Sequence, residues 1–214
     1  MDNLASPLVL GFVGSFFLVA VLSLTSFMKL SVVFMIVRNA TGLQQVPSNM
    51  ILMILALFLA IFISMPVFSA AVTALTEANI TATTPSDFLA LWRIGIAPFQ
   101  SFLLEHTQDT HLRFMVEVSN ELWSGSGLVG SETDFVIQVP SFMVSQLTEA
   151  FEIGFLLYLP FVAIDLAVTG ILMAMGMQMV QPNIIAVPFK LLVFVFVDGW
   201  SKLVEGLITS YIGG

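Results

Sequence analysis

Long stretches of this chain are apolar without interruption, and a polar segment separates them. Residues 4–28 carry no charged side chain, and neither do residues 50–75. A helix of about 25 residues reaches about 37 Å, enough to cross a hydrocarbon core of about 30 Å. Both runs therefore predict apolar helices. A signal peptide fits the first poorly, because Asp2 stands where Lys or Arg belongs and the apolar run is too long. Lys29 and Arg38 follow that run, and Arg38–Asn49 reads as a short polar connection. Pro66 sits inside the second run and predicts a bend, since proline removes a helical hydrogen bond. A third apolar region runs from about Phe142 to Ile212, and its stretch from Ile153 to Pro188 holds one charge, Asp165. Pro182 and Pro188 bracket a predicted break, after which Leu191–Val197 resumes. Two long helices in a hairpin around Gln181–Pro188 result, with Asp198, Lys202 and Glu205 opening a polar end.

The middle of the chain has helical spacing of another kind. Pro98 starts a predicted helix that continues to about Trp123, with an apolar stripe of Phe102, Leu103, Phe114, Val118 and Leu122. Glu105, Asp109, Arg113, Glu117 and Glu121 recur every four residues and fall on one face. Glycines and serines from Ser124 to Ser131 mark a loop, and Pro140 with Ser141 as N-cap predicts the next helix start. The pattern gives an all-α chain in three parts. Residues 1–76 form an apolar helical hairpin, 77–140 an acidic, partly exposed helical segment, and 141–214 a second apolar hairpin.

Composition sharpens this picture. Only 9% of the 214 residues are charged, against about 25% in a soluble domain. A soluble monomer of this size could not cover its surface with so few charges. Glu77 to Glu152 holds ten acidic and two basic residues, which accounts for the whole net charge of −8. A nucleic-acid partner needs a basic footprint and is excluded. No cysteine is present, so disulfides and thiolate chemistry are ruled out. Lys29, Arg38 and Lys190 flank the two connections, and the positive-inside rule places those connections in the cytoplasm. The acidic segment and both termini then lie outside, after four crossings.

Candidate chemistry is sparse. His106 and His111 are five apart, about 500° of helix rotation, which is not the spacing of a zinc pair. No phosphate-binding loop and no nucleophile elbow occurs, so no enzyme, metal or cofactor is predicted. Asn39-Ala-Thr41 and Asn79-Ile-Thr81 match the glycosylation pattern, which is frequent by chance. Asp165 and Asp198 are more telling, because an ionised acid inside an apolar helix needs a partner, water or a proton. Lys190 and Lys202 are the candidate partners, in a structural pair or in an ion relay. A relay would make the chain an ion-coupled transporter or channel. Met173, Met175, Met177 and Met179 form a dense cluster, and on a helix they fall on two faces about 200° apart. They read either as gap-filling in an apolar core or as an adaptable ring around irregular cargo.

The run from Ile153 to Leu166, including Leu159-Pro-Phe-Val-Ala-Ile-Asp165, closely resembles a signature of the FliP/SctR family of type III secretion export proteins. So do Leu172-Met-Ala-Met-Gly-Met-Gln-Met179, Pro182, Val187-Pro-Phe-Lys-Leu-Leu192 and Phe196-Val-Asp-Gly-Trp200. The match is dense from Pro140 to Trp200, and the chain most resembles the injectisome member, SctR. The resemblance implies bent helices and hairpins that assemble into a closed, pore-forming helical oligomer. It implies a pentamer of this chain with the small subunits SctS and SctT, next to the switch protein SctU and the large gate SctV. It places that assembly in the bacterial inner membrane, extending toward the periplasm, as the portal for unfolded secreted proteins. Its apolar hairpins then face neighbouring subunits as well as membrane lipid. The family's methionine gasket falls here on Met175, Met177, Gln178 and Met179, and its bent helices on Pro66, Pro160, Pro182 and Pro188. The chain departs from the family pattern at Gln178, where methionine is common. A second departure is Ser145-Gln-Leu-Thr148, where Ser-Glu-Leu-Lys is frequent.

Overall fold

A computed structural model describes residues 22–43, 46–80, 84–177 and 179–212 of the chain. Among the described residues there are seven main helices and no strand. They are α1 (Phe27–Ala40), α2 (Asn49–Glu77), α3 (Pro85–Glu105), α4 (Asp109–Leu122), α5 (Phe135–Ala174), α6 (Pro182–Phe196) and α7 (Gly199–Thr209). The predicted helix over 4–28 lies outside the described residues, apart from residues 22–28. There a short helical stretch, 22–24, breaks at Thr25–Ser26 before α1 begins. Lys29 therefore sits inside α1 and does not flank a connection. Leu30, Val33, Phe34 and Val37 on the same helix are buried, and Lys29 is buried with them.

The helix boundaries and burial correct four further expectations. Pro98 lies inside α3, which starts thirteen residues earlier at Pro85. Thr84 caps it: its side chain accepts from the Asp87 amide, and the Asp87 carboxylate accepts from the Thr84 amide at 2.7 Å. The expected single helix to Trp123 breaks at His106–Gln108, so Glu105 leaves the acidic row and only Asp109, Arg113, Glu117 and Glu121 share α4. On α4 the buried positions are Leu112 and Ser119; of the predicted apolar stripe Phe102 and Leu103 on α3 are buried, Val118 on α4 is half-buried, and Phe114 and Leu122 are exposed. Finally, α5 starts at Phe135. Pro140 and Ser141 fall within it, and Ser141 donates its hydroxyl back to the Ile137 carbonyl at 2.7 Å. The glycine-rich loop stands where expected, between α4 and α5.

The chain forms two compact units, each built from separated segments: Met1–Met28 with Ala60–Gln146, and Lys29–Leu59 with Leu147–Gly214. In the first, Phe102 packs on Phe142 at 5.9 Å between ring centroids and Phe68 on Phe99 at 5.3 Å, beside buried Leu103 and Ile137. In the second, Trp200 meets both Phe34 and Phe194 edge to face, and Phe194 also packs on Phe161. Val168, Leu172 and Ala186 form a further apolar cluster of α5 and α6.

Candidate functional site

The methionine cluster does not continue a helix. α5 ends at Ala174, and Gly176 takes φ +71°, a backbone state in which a side chain costs about 1–2 kcal/mol. The two-face reading of Met173 to Met179 is thereby overturned. Only Met173 is helical, while Met175, Met177 and Met179 belong to the connection between α5 and α6. All four are exposed, Met179 to 98%. Gln178 lies outside the described residues. Pro182 then occupies the first turn of α6, where its missing N–H costs nothing, and the helix runs through Pro188 to Phe196. The expected break between these two prolines is thus the turn just before Pro182. Pro66 and Pro160 lie inside α2 and α5, which continue past them.

Of the paired charges, the structure brings together Asp165 and Lys190. Lys190 Nζ lies 2.6 Å from Asp165 Oδ2 and donates to it, linking α5 to α6. Lys190 is buried, and the Asp165 side chain is 34% exposed. A cleft of about 660 Å³ opens beside the pair. Asn39, Tyr158, Gln181 and Asn183 give it polar walls, and Leu43, Ile184 and Val187 apolar ones. Gly42 lets the backbone pass close to the Val187 wall: its φ is +76°, and a Cβ there would meet the Val187 side chain at 2.7 Å.

Asp198 and Lys202 are not brought together as an ion pair among the described residues. Asp198 instead stands at the corner between α6 and α7, which bend by 59°. Its backbone is left-handed (φ 54°, ψ 50°), and its carboxylate accepts from the Ser201 hydroxyl at 2.9 Å. The Asp fits this corner because short polar side chains tolerate the left-handed region.

Two polar clusters escape a reading of the sequence. Lys29 Nζ reaches Glu149 at 2.8 Å and Ser210 at 3.1 Å, and sits 4.5 Å from the centre of the Tyr211 ring. One buried ammonium thus ties α1, α5 and the end of α7 together. Burial first, and the Glu149 carboxylate second, raise the Tyr211 phenol, so it remains neutral. Lys29 could be foreseen inside a helix from the spacing of Leu30, Val33 and Phe34; nothing local points to Glu149, 120 positions away. The second cluster holds the α3–α4 break. The Ser145 hydroxyl accepts from the Gln108 amide at 3.0 Å and bonds His111 Nδ1 at 2.9 Å, and Gln146 donates to the His106 carbonyl at 3.1 Å. His106 caps α3 and packs its ring on Phe102. Among the described residues no group of three or more metal-ligating side chains occurs.

These features define an all-α protein of membrane type. α2 and α5 are long and apolar enough to cross a membrane, and α6 with α7 makes a third candidate if the bent pair is one span. The chain matches the FliP family over residues 10–207 and belongs to that family. It is 46% identical over 193 residues to a probable translocation protein of Sinorhizobium fredii, y4yL, covering 90% of this chain and 87% of the other. It is 44% identical over 190 residues to Yop proteins translocation protein R of Yersinia pestis, covering 88% of each. It is 40% identical over 216 residues to virulence protein YscR of Salmonella typhimurium, covering 96% of this chain and 97% of the other. The likeness that the motifs of Pro140–Trp200 carry thus extends over nearly the whole chain.

Proposed function

We propose that this chain is a core subunit of the export gate of a type III secretion system and lines the channel through which unfolded proteins cross the bacterial inner membrane. The observation that carries this reading is the exposed methionine connection, Met175, Met177 and Met179, set between two apolar helices of a FliP-family chain. A channel for many unfolded sequences cannot recognise particular side chains. It needs an adaptable apolar constriction that also blocks ions when idle. Methionine has three rotatable bonds and a polarizable sulfur, whereas β-branched residues are stiff at χ1. In this reading several copies, a pentamer, bring their connections to one axis, with Gln178 among them, and SctS and SctT complete the wall. SctU and SctV stand beside the gate. The acidic segment, 77–140, lies on the periplasmic side between the apolar hairpins 1–76 and 141–214, and the helices bend at Pro66, Pro160, Pro182 and Pro188 to wrap the axis. Asp165 with Lys190, and Asp198, hold helices in place and carry no ions.

The test is conductance across a bilayer holding the assembled gate. Met177→Ala with Met179→Ala is expected to raise small-ion leak at unchanged assembly mass. Unchanged leak in an assembled double variant overturns the gasket. Met177→Cys gives a second readout: crosslinking to a stalled secretion substrate is expected in a channel, and its absence marks a scaffold.

A further inference from the structure

The cleft reaches from polar residues at helix ends, Asn39, Gln181 and Asn183, to the Asp165–Lys190 pair inside the apolar helices. Asp165 lies nine residues before the end of α5 and Lys190 eight after the start of α6, about 12–14 Å from those ends at the helical rise. An ion pair at such depth in a membrane protein faces protein or water, not lipid. The pair also has hydrogen-bonding capacity to spare on both sides. Lys190 Nζ has three donors and gives one to Asp165. Asp165 Oδ1 is buried and accepts no hydrogen bond among the described residues.

What answers such a pair is decided by charge. The two charges cancel, and a charged partner would leave a net charge in apolar surroundings at a cost of about 2.5–3.5 kcal/mol or more. A neutral carboxamide carries both an acceptor for Lys190 and donors for Asp165 in one group. The apolar walls at Leu43, Ile184 and Val187 suit the flanking side chains of an apolar helix, and about 660 Å³ accommodates several of them. We propose that this cleft is the docking site for a helix of another membrane chain that presents an Asn or Gln side chain to the Asp165–Lys190 pair. This inference rests on the reading that the chain works inside a membrane assembly.

The experiment places the photocrosslinker p-benzoylphenylalanine at Ile184, on the exposed rim, in the full apparatus in cell membranes. The expected result is one discrete crosslinked membrane protein, with an Asn or Gln within a helical turn of the crosslinked residue. Crosslinking to a second copy of this chain alone overturns the proposal. Asp165→Leu with Lys190→Met is expected to reduce the crosslink at least about tenfold, because the partner's carboxamide is left unpaired. The variant should still fold, since replacing a buried ion pair by apolar side chains is often neutral or stabilising. Crosslinking to lipid alone, to the travelling polypeptide alone, or undiminished in the folded double variant overturns the proposal. If that variant does not accumulate, the mapped wild-type crosslink decides: a partner segment lacking a carboxamide overturns it. Secretion is read in the same cells. A gate that exports normally without the crosslink fails this inference alone; a crosslinked assembly with no role in export fails the export reading alone.

Discussion

Lys29 is 3% exposed and Glu149 28%, and that asymmetry sets what their separation costs. Removing one partner of a fully buried pair costs about 3–5 kcal/mol. Here Glu149 retains contact with water, so Lys29→Met is expected to destabilise by about 2 kcal/mol, read as a lower denaturation midpoint in detergent. An unchanged midpoint would show that Lys29 is held without contributing. Gln146 invites a second test at the same scale. Its amide donates to the His106 carbonyl, a contact that the departure from the Ser-Glu-Leu-Lys pattern did not foretell. Gln146→Glu removes the donor and places a carboxylate against that oxygen, with an expected loss of about 1–3 kcal/mol. Fast proteolysis at Thr107–Asp109 would report the loosened break, and resistance equal to wild type would dismiss the role. Residue identities such as these are explicit in the sequence; their partners, 120 and 40 positions away, are not.

At the level of elements, corners matter more than helices. α2 and the body of α5 follow directly from long apolar runs, because such runs have few ways to hide their backbone outside a helix. The corners follow from single residues in unusual states. Asp198 at φ 54° is one. Asp198→Asn keeps a short polar side chain that tolerates the left-handed region, so near-normal stability and secretion are expected; a relay role for Asp198 would show instead as lost secretion in a stable protein. Asp198→Val, stiff and β-branched, should cost about 1–2 kcal/mol in the same midpoint measurement. The α3–α4 break illustrates why sequence periodicity failed. Four-residue spacing from Glu105 to Glu121 runs straight through it, because solvent-facing charges are indifferent to a bend whose hydrogen bonds come from Ser145 and Gln146.

Across the whole molecule, large apolar side chains remain exposed: Phe58, Phe62 and Met65 on α2, and Phe151, Phe155 and Leu166 on α5. A soluble chain rarely leaves such patches open. Dilution of the purified protein below the micelle concentration is therefore expected to cause aggregation by light scattering, prevented by lipid. A clear, monodisperse solution would contradict a membrane or assembly setting for these faces.

The order of residues along the chain was enough for the all-α class, the apolar runs, the excess acid of the middle segment and the family, through motifs that lie close together. It also marked Asp165, Lys190 and the methionines as unusual. Three-dimensional packing was needed to see that the helix ends at Ala174 within the methionine cluster, that Asp165 meets Lys190 while Asp198 turns a corner, and that Lys29 is buried against Glu149. The physical reason is range. Hydropathy and helix period are sums over neighbours, whereas an ion pair, or a break held from another helix, depends on which distant segments the fold packs together.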